Sequence, residues 1–105
     1  MKIEEDIKLD FNDVLFRPKR STLSSRKEVD MEREFTFKYS ERKWKGVPII
    51  SSNMDTVSSV SMFKKLSKHK ILTCFHKFID IKEIITAVKE GSDPQYMMLS
   101  TGITE

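Results

Sequence analysis

The chain is 105 residues long, 38% hydrophobic and 33% charged, with a net charge of +3. That length holds one domain at most and buries about two thirds of its unfolded surface, and the composition excludes a disordered or low-complexity segment. No apolar run reaches the roughly 18 residues that span a bilayer, and the start MKIEEDIKLD lacks the basic-then-apolar order of a secretory signal, so a cytoplasmic protein is expected.

Residues 1–45 read as an extended N-terminal wrap with one short strand at REFTFKY, where Phe35 and Phe37 share a strand face. Pro18 disfavours a helix and pushes Arg17 towards extended backbone. Arg17, Lys19, Arg20, Arg26 and Lys27 follow one another with no acid between them. The net charge alone does not mark a nucleic-acid binder, but this cluster is the candidate anion contact, set against a plain solvated arm. SERKWKG reads as a turn, with Gly46 leading into the first core strand.

From residue 46 onward the pattern alternates. VPIIS is a strand, and Val57, Val60, Phe63 and Leu66 then form the stripe of an amphipathic helix that Thr56 or Asp55 would cap. ILTCF is a continuous apolar run, as a parallel strand covered on both faces requires. DIKEIITAVKEG gives a second helix, with Asp80 at the cap, Glu83 at the capping-box position and Gly91 as the stop. YMMLS is the third strand of this segment. Strand, helix, strand, helix, strand with short connections predicts a parallel α/β arrangement over residues 46–105.

Each of these strands ends in polar chemistry. The first runs into Ser51, Ser52, Asn53, Met54 and Asp55, the second into His76 and Lys77, the third into Ser100, Thr101 and Gly102. In parallel α/β folds ligands bind at the carboxyl ends of the strands, so a rim of hydroxyls, an amide and a lysine suits a phosphorylated, nucleotide-like ligand. Plainer readings stay open: SSNMD as a strand-to-helix turn, His76 and Lys77 as a solvated loop. Cys74, the lone cysteine, lies inside the apolar run and reads as a structural thiol, and one cysteine forms neither a disulfide nor a zinc cluster. No metal site and no glycine-rich phosphate cradle is expected.

KLDFNDVLFRPKRSTLSSRKEVDMEREFTF, then GVPIISSNMDTV, ILTCFHK and MLSTG, closely resemble the start of the reductase branch of the IMP dehydrogenase/GMP reductase family, across essentially the whole chain and in order. The resemblance implies a (β/α)8 TIM barrel and a cytosolic homotetramer. It also implies NADPH-dependent reductive deamination of GMP to IMP and ammonia, with a nucleophilic cysteine and a potassium ion that orders its loop. GMP and IMP are the implied small-molecule partners; membrane and nucleic acid are not.

Carried onto this sequence, Ser25 and Arg26 of SSRKEVD match positions that touch NADPH, and Lys77 matches another; an Arg fork and a lysine suit its phosphates. Met54 matches a rim residue packed near the bound nucleotide, with Ser52 and Asn53 beside it. Asn53 and the direct run from Lys77 through DIKEIITAVKEG to the third strand depart from the dehydrogenases, which place a proline and a long pair of regulatory CBS motifs there. Glu105 follows the third of the eight strands of such a barrel, so the resemblance implies a fragment, inactive alone, with no catalytic residue or cation ligand of its own. An IMP dehydrogenase fragment and a non-enzymatic nucleotide- or nucleic-acid-binding module are the alternatives.

Overall fold

The structure, a computed structural model, describes residues 1–103; Thr104 and Glu105, at the end of the expected 46–105 segment, lie outside the described residues. Its elements in chain order are β1 (Arg33–Thr36), β2 (Lys43–Ser51), α1 (Val60–Leu66), β3 (Ile71–Phe75), α2 (Ile81–Lys89) and β4 (Met97–Leu99). The strands form one four-stranded sheet in the order β1-β2-β3-β4, and the two helices pack on one of its faces. β2, β3 and β4 run parallel and β1 runs antiparallel to β2.

β2 is longer than its sequence suggests. The stretch read as a turn closes by Arg42, where the Phe37 N–H donates to the Arg42 carbonyl at 2.9 Å, and Lys43–Gly46 already pair with β1. The reason is Trp44, which points inward, is only 8% exposed, and packs edge-on to Tyr96 at 6.0 Å. The second half of β2 pairs with β3, and the register slips between Val47 and Ile50. Pro48 falls inside that slip; it has no N–H for the ladder, so a bulge is the expected local solution.

α1 also differs from expectation. It starts at Val60, and Ser59 caps it by accepting from the Met62 N–H at 3.2 Å. Val57 lies in the preceding loop, and Asp55 bonds its neighbour Thr56 N–H at 2.8 Å instead of the helix. α2 is capped and stopped where its sequence places the signals: Asp80 accepts from the Lys82 N–H at 2.9 Å, and Gly91, at φ 105°, takes the left-handed turn after the helix, while Glu83 makes no capping-box bond among the described residues.

Alternation along β3 sends Thr73 and Phe75 to one sheet face and Leu72 and Cys74 to the other. On the helix face Phe63, Phe75, Ile84 and Ala87 form the core, with Phe63 edge-on to Phe75 at 5.5 Å. On the opposite face Trp44, Leu72 and Tyr96 form a smaller cluster near the strand amino ends. Beyond it this face is open: Ile50 is 54% exposed and Met98 43%.

Residues 1–31 are exposed along their whole length, with short 3-10 turns at Phe11–Asp13 and Arg26–Glu28. Glu32 ties the arm to the body through an ion pair with Lys70 at 2.6 Å. The accessible area of 10069 Å² compares with about 6,100 Å² for a compact chain of this mass. The radius of gyration, 18.1 Å, likewise exceeds the roughly 13 Å of a compact chain.

Candidate functional site

β2, β3 and β4 deliver their carboxyl ends to one rim. The loop after β2 is held by its own backbone and one buried serine. The Met54 carbonyl accepts from the Val57 and Ser58 N–H groups at 3.0 and 2.8 Å. Ser58, fully buried, donates to the Ser52 carbonyl at 2.5 Å and shares a hydrogen bond with Ser51 Oγ at 2.7 Å. That knot leaves Ser52, Asn53 and Met54 exposed at the loop's outer edge. In the sequence the one signal for Ser58 is the small polar run VSSVS at the start of the helix stripe.

Asn53 then reaches across the sheet. Its Nδ2 donates to Ser100 Oγ at 3.1 Å, tying the loop after β2 to the end of β4. Ser100 is held in turn by its backbone N–H, which donates to the Phe75 carbonyl at 3.1 Å. Cys74 Sγ lies 3.7 Å from the same Ser100 Oγ, half-buried, on the sheet face away from the helices. Its placement between strand and rim hydroxyl is that of a packing thiol, less enclosed than the sequence suggests.

The loop after β3 supplies the cation. His76 Nδ1 accepts from the Phe78 N–H at 3.2 Å, which folds the tip, and Lys77 Nζ lies 5.0 Å from the Phe78 ring centroid. Among the described residues Lys77 has no carboxylate partner, so its charge is uncompensated in the cleft. Asn53, His76, Lys77, Ser100, Thr101 and Gly102 line an open cleft of about 460 Å³. A solvated lysine beside two hydroxyls and an amide is a donor set for phosphate oxygens. Among the described residues no group of three His, Cys, Asp or Glu side chains is placed to hold a metal ion.

The basic arm is built separately. Ser24 Oγ donates to Glu28 Oε1 at 2.7 Å and the Ser24 N–H to Oε2 at 3.1 Å, closing a small loop. The Ser24 hydroxyl, and then its N–H, hold the Glu28 carboxyl below the usual glutamate value. Within that loop Ser25 Oγ accepts from the Lys27 N–H at 3.3 Å, and Arg26 is exposed without an ion pair among the described residues. The structure therefore brings Asn53 and Lys77 to one cleft and sets Ser52 and Met54 on the loop beside it. Ser25 and Arg26 share no hydrogen bond with that rim.

Parallel strands with short helical connections, gathering polar loops at their carboxyl ends, define an α/β protein of the ligand-rim type. Residues 8–93 match the family model described as IMP dehydrogenase / GMP reductase domain. Among curated relatives, the chain is 54% identical over 104 residues to a GMP reductase of Tolumonas auensis, covering 97% of this chain and 30% of that protein. It is 50% identical over 107 residues to GMP reductases of Vibrio vulnificus and Photobacterium profundum, covering 100% of this chain and 31% of each. The chain belongs to the IMP dehydrogenase/GMP reductase family. It spans about 30% of the length of these relatives. No helix among the described residues is long and apolar enough to cross a membrane.

Proposed function

We propose that this chain is the N-terminal portion of an NADPH-dependent GMP reductase, an oxidoreductase of purine metabolism that converts GMP to IMP and ammonia. The supporting observation is the convergence of Asn53, Lys77 and Ser100, from three successive parallel strands, on one cleft. In this reading residues 1–45 are the N-terminal wrap and residues 46–105 the first three strands and two helices of one (β/α)8 barrel. The complete enzyme is a cytoplasmic homotetramer.

When bound, NADPH supplies the hydride. This chain's part is to hold it: Lys77 and Arg26 neutralise phosphate charge and the Ser25 hydroxyl, whose hydrogen is free to donate, adds a neutral bond. Met54, 56% exposed at the rim, offers an apolar contact to the purine nucleotide, with Ser52 and Asn53 beside it. Potassium and the nucleophilic cysteine belong to the remainder of the barrel, and Cys74 takes no chemical role.

The experiment is a pair of measurements on the purified chain. Titration with NADPH should show saturable binding that weakens in Lys77→Met, whereas following NADPH absorbance with GMP should show no turnover. Turnover by the chain itself would overturn its assignment as an inactive portion; absence of NADPH binding would overturn the roles of Lys77, Arg26 and Ser25. Binding of RNA that falls steeply with salt, with none of NADPH, would instead establish a nucleic-acid module.

A further inference from the structure

Phe78 is the large apolar residue at the tip of the loop after β3, and nothing in the proposed cofactor contacts uses it. It is 82% exposed, although the cleft beside it has an apolar wall formed by Ile79, Ile81 and Leu99. Its backbone is anchored, because its N–H donates to His76 Nδ1 at 3.2 Å, and the Lys77 ammonium lies 5.0 Å from the ring centroid. Ser100 and Thr101 also line that cleft. A cation and an exposed aromatic ring, side by side in a cleft lined by both apolar and hydroxyl side chains, match a ligand that joins a flat base to a phosphate.

We propose that Phe78 is the stacking platform for the adenine base of the dinucleotide, with Lys77 pairing a phosphate of the same adenosine half. This rests on the NADPH reading above and adds the residue that recognises the base. Stacking suits an exposed ring, because every base presents a π-face and the contact needs no hydrogen-bond register. The Lys77 ammonium is poised to exchange its ring contact for a phosphate oxygen, an anion it holds more strongly than a quadrupole.

The test compares the wild-type chain with Phe78→Ala and Phe78→Tyr, titrated with NADPH and with its doubly phosphorylated adenosine half alone. Circular dichroism establishes that each variant is folded, which the exposure of the side chain favours. Phe78→Ala should weaken both ligands about tenfold, and Phe78→Tyr should keep wild-type affinity. The Phe78 ring protons should also move upfield on adding the adenosine ligand, a shift that only stacking gives. Wild-type binding that Phe78→Ala leaves unchanged overturns the stacking role and spares the NADPH reading. A wild-type chain that binds neither ligand overturns both.

Discussion

The indole N–H of Trp44 donates to the carbonyl of Gln95 at 3.0 Å across 51 residues of chain, joining the start of β2 to the turn that launches β4. Tyr96, next to Gln95, returns the connection by donating its hydroxyl to the Lys45 carbonyl at 3.2 Å. Trp44→Phe keeps most of the buried area and loses the donor, so it should cost about 1–2 kcal/mol; Trp44→Ala, which empties the site, should cost about 3–5 kcal/mol. Trp44 is the sole tryptophan, so urea unfolding must be followed by circular dichroism. Equal stability of Trp44→Ala and wild type would show that this face contributes nothing to the fold.

What the sequence disclosed and what it hid divide by range. α2 was legible because the Asp80 cap and the Gly91 stop are both local. The gathering of Asn53, Lys77 and Ser100 was legible because parallel strands with short connections put their carboxyl ends together wherever the side chains point. Trp44 reads as turn because the carbonyl its indole bonds lies 51 residues downstream, and no local pattern announces a cross-sheet partner. α1 starts later than the periodicity suggests because Ser58 turns inward to bond the Ser52 carbonyl, which removes Val57 from the helix stripe. Where the basic arm lies depends on contacts that periodicity does not encode.

Gly46 is the second fixed point of β2. A Cβ there would meet the Lys70 carbonyl oxygen and the Trp44 ring, each at 2.6 Å, and Lys70 is itself held in a left-handed conformation at φ 58°. Neither neighbour is the loose end of a flexible chain. Gly46→Ala should therefore destabilise by about 1–3 kcal/mol through overpacking, read as a lower urea midpoint at unchanged slope. An unchanged midpoint would mean that the indole swings aside at no cost.

Glu28 links pH to the shape of the arm. Its carboxyl is held below the ordinary glutamate value, first by the Ser24 hydroxyl and then by the Ser24 N–H. A depressed acid favours the folded loop above its unfolded value, and that contribution is lost as pH falls through the lowered one. The loop carrying Ser25 and Arg26 should thus be ordered at neutral pH and open in acid. An NMR titration of the Glu28 side chain should place its midpoint below that of an exposed glutamate, and Ser24→Ala, which removes the hydroxyl and keeps the N–H, should raise it part of the way back. The same midpoint in both proteins would remove the clamp.

Thr73 offers the sharpest test of the core. It is fully buried on the helix face of β3, beside Phe75, and its hydroxyl has no hydrogen-bond partner among the described residues. A buried hydroxyl left unpaired carries a desolvation cost of about 1–3 kcal/mol, whereas its methyl group packs as an apolar atom would. Valine keeps the branched shape and the strand preference and removes the orphan. Thr73→Val should therefore raise stability by about 1 kcal/mol, against the usual direction for a core substitution, measured as an increase in the urea midpoint. A loss of stability would mean that the hydroxyl is satisfied by an enclosed water, and that the sheet face beneath Ser51 and Ser58 is wetter than its packing implies.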